Sequence, residues 1–367
     1  GDGNFSFAFS TGNSLCLGDA TICDNSLDNA TIDLFAGFST GALSLSANTF
    51  ILAENVFNLG NLNDLNLTAG STIDDTANVL PLINTAISLP GTLTLTSGTG
   101  GVTGVIGGAS ANGDGFTVDV GSLVVDSSAA PGGVNQNVTI TADDGIAPTN
   151  LVINAAGINA GAGTVDLTAT GAIDDTAGGT VTGSSILLTA NGGDIGSLAN
   201  PVLIDYTTTN ALTLDTSAGF GSIWVDETNG ALLTSDLTVL TDTATSQTVQ
   251  VRNTSGNITV DAAVLFGSIF TATANDDVTL DATGTIDDPG GTNTLTAKSI
   301  NLIAAAAGGI GATNAIDVAA TTRVDADTAT GADGNISING VGGLPLGLIN
   351  AGTGDVTLTS TGAITDA

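Results

Sequence analysis

The residues best placed to do chemistry are neighbouring aspartates: Asp74 with Asp75, Asp174 with Asp175, Asp276 with Asp277, and Asp287 with Asp288. Two carboxylates can divide acid and base roles around a glycosidic bond, and turn carboxylates are hard oxygen ligands suited to Ca2+. Asp143 and Asp144 in ADDG, and Asp325, Asp327 and Asp333 in DADTATGADGN, add further ligands of that type. A third reading needs no ligand at all. Turn aspartates accept hydrogen bonds from backbone amides two residues on. Against catalysis, an active site is one constellation, whereas the pairs in IDD recur at the same turn of a repeated motif. The chain also has no His, one Tyr (Tyr206) and three bases, Arg252, Lys298 and Arg323. Transition-state charge would have to be handled by carboxylates, amides or a bound metal alone. The expectation is therefore a non-enzyme that requires no cofactor, with Ca2+ as the candidate ligand of the eight paired aspartates. No stretch has EF-hand spacing.

The element that carries these acids is a strand followed by a turn. VDLTATGAIDDT (165–176) is echoed by LNLTAGSTIDDT (65–76), VTLDATGTIDDP (278–289) and VTLTSTGAITDA (356–367). Alternation at period two marks a strand with one buried face. Val165, Leu167 and Ala169 should point inward, and Asp166, Thr168 and Thr170 outward. A unit this short cannot bury its own apolar face and must stack on neighbours. Similar cores recur, 22 residues apart at Leu43, Leu65 and Ile87, and 20 apart at Ile316, Ile336 and Val356. Coils of about 20–25 residues with two or three strands each fit that rhythm. Larger duplications overlie it: Ile158–Thr176 matches Ile349–Ala367 almost residue for residue. The expected fold is all-β, a right-handed parallel β-helix, with tandem immunoglobulin-like sandwiches as the alternative.

Composition agrees. Aromatics are 4% and Gly numbers 51, which suits a thin interior of stacked Val, Ile, Leu and Ala. Thirty-six acids against three bases give a formal net charge of −33. Direct contact with nucleic acid is excluded by that balance, and attraction to anionic membrane by the same argument. No apolar run approaches the roughly 20 residues that span a bilayer. Cys16 and Cys23, in CLGDATIC, read as a disulfide and hence as an oxidising, extracellular setting, with two buried thiols as the alternative. Seven N-x-S/T triplets, at Asn4, Asn29, Asn66, Asn137, Asn253, Asn257 and Asn335, are too frequent in so Asn- and Thr-rich a chain to argue glycosylation.

Residues 1–60 hold seven of the eleven Phe and both cysteines. They are expected to form a cap or docking segment, or else ordinary first coils, ahead of β-helix repeats over 61–367. Residue 1 reads as a mature N-terminus or a cut within a longer precursor. Residue 367 falls inside a repeat, which expects either further chain or a covering neighbour.

The run VDLTATGAIDDTAGGTVTGSSILLTANGGDIGSLANPVLID resembles the filamentous-haemagglutinin-like, β-strand-repeat surface proteins of bacteria. The likeness covers about residues 60–367 and is one of repeat style. It implies a right-handed parallel β-helix on an exported adhesin or cell-surface fibre. With the open repeat it suggests a homopolymer built head to tail, with host or neighbouring-cell glycans and proteins as further partners. The alternative function is a carbohydrate-active β-helix enzyme or a glycan-binding module using the turn carboxylates.

Overall fold

The computed structural model describes residues 4–9, 13–18, 23–28, 31–32, 41–54, 62–75, 87–99, 105–107, 115–128, 136–207, 212–242, 246–267, 274–329 and 333–367. The chain divides into two compact units, Gly1–Gly192 and Gly193–Ala367. The named elements are β-strands throughout, save one 3₁₀ turn at Thr234–Asp236. Among the described residues no helix is long and apolar enough to cross a membrane. The strands pair in parallel from coil to coil, so the fold is a parallel β-solenoid, not a string of antiparallel sandwiches.

In the first unit, Phe5–Phe9, Ala42–Ala47 and Asp64–Ala69 lie side by side and continue into Ile87–Thr96 and Phe116–Asp126. A second ladder runs through Leu15–Gly18, Ile51–Glu54, Thr72–Asp75 and Val105–Ile106 to Val138–Ala142, Thr164–Ala169 and Ser185–Ala190. Phe5–Phe9, Leu15–Gly18, Ala42–Ala47 and Ile51–Glu54, all within residues 1–60, therefore join the two ladders in register. Phe35, Phe38 and Phe57 lie outside the described residues. In the second unit, Ile223–Glu227, Thr248–Asn253, Asp277–Ala282, Thr294–Ala304 and Ile316–Asp327 form one ladder. Leu232–Leu233, Ile258–Thr259 and Ile286–Asp287 form another.

Period-two alternation produces the core directly. Asp64–Ala69, Thr164–Ala169 and Asp277–Ala282 each bury every second side chain, and Val165, Leu167 and Ala169 are sealed. Parallel register then stacks like on like, as in the column Leu43, Leu65, Leu93, Leu123. Removing each such side chain from water is worth about 1.5–3 kcal/mol, so the interior needs few rings. Two long strands turn a corner midway where no side chain fits. A Cβ on Gly91 would stand 1.5 Å from the carbonyl oxygen of Asn63, and one on Gly121 2.1 Å from that of Pro90.

Coil length is less regular than the sequence rhythm suggests. Residues paired from coil to coil are 20 positions apart at Ile336 beside Val356, 33 at Val125 beside Ile158 and 38 at Phe5 beside Leu43. Leu65 and Ile87, for example, do not pair. Leu65 lies beside Leu93, and Ile87 beside Val118. Apolar-x-apolar cores on different faces of one coil look alike in sequence, so equal spacing sometimes joined strands that belong to different ladders.

Candidate functional site

The turn acids divide into a buried and a half-exposed member. Asp175 is 2% exposed, and its Oδ1 accepts the amides of Gly178 at 2.7 Å and Gly179 at 3.0 Å. Asp288, fully buried, accepts from Gly290 and Gly291 through Oδ1 and from the amide of Asn293 through Oδ2. Asp276, also fully buried, takes the Thr241 hydroxyl at 2.5 Å and the Gln247 amide at 3.1 Å. Burial pushes Asp276 above the usual carboxylate range despite those two bonds. Asp74 is 2% exposed, with its Oδ1 on the amide of Asp75, which is half-exposed. These are the amide-capping geometries of aspartate turns.

The outer members link coils. Asp174 accepts from the Asn150 side chain at 3.2 Å, and Asp287 from the amide of Thr313 at 2.9 Å and from its hydroxyl at 2.5 Å. Asp277 takes Lys298 Nζ at 3.0 Å and the Ser246 hydroxyl at 3.1 Å. Its burial would raise it, yet hydrogen bonds from Ser299, Lys298 and Ser246 hold it below the usual range. Among the described residues no three acids, cysteines or histidines converge as a metal cluster.

All three bases are paired within the second unit. Arg252 grips Asp226 with two nitrogens, Nε at 2.9 Å and Nη2 closer still. Asp281 lies on the other side of Arg252 in the same outward column, and burial raises it despite that neighbour. Arg323 bonds Asp325 at 2.7 Å on the surface. Cys16 and Cys23 form a disulfide with Cα atoms 5.5 Å apart, and Cys16 is fully buried.

Asparagines at strand entrances tie successive coils, a role the sequence pattern alone did not assign. Their Oδ1 atoms accept a backbone amide one coil on: Asn4 from Ala42, Asn137 from Thr164, Asn150 from Ala172, Asn257 from Thr285 and Asn335 from Asp355. Four of the five head N-x-S/T triplets. The visible signal was an Asn directly before a strand, in NVT, NIT and NIS. Asn253 is fully buried, and its Nδ2 donates to the carbonyls of Gly230 and Asn257.

Glu227 and Tyr206 were also missed. Glu227 is 1% exposed and pushed up to about 8, by burial first and then by the charge of Asp205. Tyr206 is 8% exposed and pushed upward by burial and by Asp236, Glu227 and Asp261. Alternation in IWVDE places Ile223, Val225 and Glu227 on one face, which is how this inward acid could have been found.

An apolar recess of about 590 Å³ is lined by Leu346, Leu348, Val356, Leu358 and Ile364. Duplication supplies its control. Val165 and Ile173 are 1% and 0% exposed, whereas the corresponding Val356 and Ile364 are 46% and 49% exposed. Ser185–Ala190 covers Thr164–Ala169, and Val356–Ser360 pairs with Ile336–Gly340.

Comparison with family models, curated proteins and solved structures finds no match for this chain.

Proposed function

We propose that the chain is a structural β-solenoid segment of an exported surface protein or extracellular fibre, of the filamentous-haemagglutinin-like kind, and that copies associate coil on coil. The observation that carries this reading is the in-register parallel stacking of near-identical repeats: Ser185–Ala190 seals the apolar face of Thr164–Ala169, the kind of contact that one copy would make on another. Repeated heterologous contact of copy on copy does not close and yields a filament. The turn acids fit the same reading, because their oxygens already hold amides and neighbouring coils. A disulfide is compatible with an oxidising exterior.

Sedimentation velocity and negative-stain microscopy across a concentration series test the proposal. The expected result is growth of linear oligomers with concentration, suppressed by Leu358→Asp. Monomers throughout would overturn it. Glycan depolymerisation abolished by changing one aspartate would instead establish the carbohydrate-active alternative.

A further inference from the structure

The return from Leu15–Gly18 to Asn25–Leu27 is the tightest parallel crossover among the described strands. Leu15 meets Asn25 after 10 positions, half the separation of Ile336 and Val356. Residues 19–24 alone make the connection. A parallel pair ordinarily needs a crossover of about a dozen residues or more, because the chain must travel back along the whole strand before it can pair. So short a return has to be held by something other than its own packing. The disulfide lies within it, tying Cys16 in the first strand to Cys23 just before the second.

The bridge is on the outer face of the coil. Cys16 alternates with Leu15 and Leu17, which are sealed in the core. Its ladder neighbours, Leu52 in Ile51–Glu54 and Ser26 in Asn25–Leu27, are half-exposed and exposed. Cys16 is nonetheless fully buried, with Cys23 bonded over it. Cys23 is half-buried, so a reductant reaches the bond from that side.

Apart from the bridge, Asn25–Leu27 is lightly held. Its three residues run half-buried, exposed, half-buried, and among the described residues its named ladder partner is Leu15–Gly18. The polar contacts gather at one end. Asp24 Oδ2 accepts the Ser14 amide and hydroxyl at 3.2 Å each, and the Asp24 amide donates to Ser14 Oγ at 2.9 Å. The Asn25 amide and side chain both donate to the Ser14 carbonyl at 3.2 Å. Bonds that water can replace are individually weak, and so short a strand on a sheet edge has little else to keep it.

We propose that Asn25–Leu27 is a redox-released guard strand: the Cys16–Cys23 disulfide holds it over the edge of Leu15–Gly18, and reduction by a dithiol withdraws it and bares that edge. Thiolate attack on Cys23 Sγ breaks the S–S bond, and Cys16 leaves as a thiolate that takes up a proton. The second thiol of the reductant then displaces Cys23 and closes the reductant's own disulfide. Sheets ordinarily keep such edges covered, so the guard stays shut in oxidising surroundings and opens in reducing ones. This inference stands on the short return and its cross-link, and does not depend on the fibre reading.

Two measurements on the intact chain test it, and neither needs a variant. The first is hydrogen exchange at neutral pH with and without dithiothreitol. After reduction the amides of 24–27, Asn25 above all, should lose protection by about tenfold or more, while those of Ala42–Ala47 and Asp64–Ala69 hold steady. Unchanged protection of 24–27 overturns the proposal. So does an equal loss in all three segments, which would make the bridge a staple for the whole unit. The second is alkylation of the reduced chain by iodoacetamide. Cys16 and Cys23 should be modified at comparable rates, because release uncovers Cys16. Modification of Cys23 with Cys16 still protected would contradict the release.

Discussion

Asp288 and Asp287 are adjacent in sequence, yet changing them should have very different costs. Asp288→Ala would strand the amides of Gly290, Gly291 and Asn293 at a buried site, a loss of roughly 2–4 kcal/mol. Asp287→Ala removes a contact to Thr313 at an exposed position and should cost under about 1 kcal/mol. Thermal unfolding of the two variants checks the ranking. Glu227 supplies a second residue-scale prediction. Its folded value, about 8, lies above its unfolded value. Its contribution to stability is therefore fully present below the unfolded value and lost as pH rises through 8. Melting temperature should drop between pH 6 and 9, and Glu227→Gln should flatten that drop. Sequence showed the acidic pairs but not which member is buried, because both share one turn and only the coil's path decides. It showed Glu227 as one of two glutamates without its depth, although strand alternation contained that information.

At the scale of elements, the ladder Asp226, Arg252, Asp281 is one charge column across three strands. Arg252→Ala would leave Asp226, 2% exposed, without its counter-charge. Since the guanidinium side is partly in water, a loss of about 1–3 kcal/mol is expected. Adding Asp226→Asn should recover part of it in a double-mutant cycle. Corners are stricter still. Gly121→Val puts a branched side chain into the Pro90 carbonyl, and the expected outcome is loss of cooperative unfolding in the first unit. Strand existence and facing were legible from period-two patterning in copies such as VDLTA and VTLDA. Pairing was not, because parallel partners lie a full coil away and nothing local distinguishes Leu65's neighbour Leu93 from the equally apolar Ile87.

For the molecule as a whole, a net charge of −33 sets the conditions under which copies can meet. Like-charged chains repel at low ionic strength, so association should strengthen as salt rises from about 10 mM to 150 mM. Weaker association at higher salt, followed by sedimentation, would contradict this. Removing divalent ions is the companion experiment. If turn oxygens are satisfied by amides, EGTA should leave the melting temperature within about 1 °C. A calcium-dependent rise would instead report ion binding to the folded state. Fold class was legible at this scale because repetition leaves few ways to bury so many short apolar faces. Function was less so, since a repeat announces stacking without naming what it is for.

Unequal coil lengths carry a practical consequence. Thr164–Ala169 meets its partner 21 positions later, whereas Leu123 meets Ile153 after 30, and both ladders stay parallel. Slack of that size sits in the connections. A foreign peptide of eight or nine residues spliced after Asn191 should thus ride on the outside while the strands beneath keep their partners, making the chain a carrier for displayed sequences.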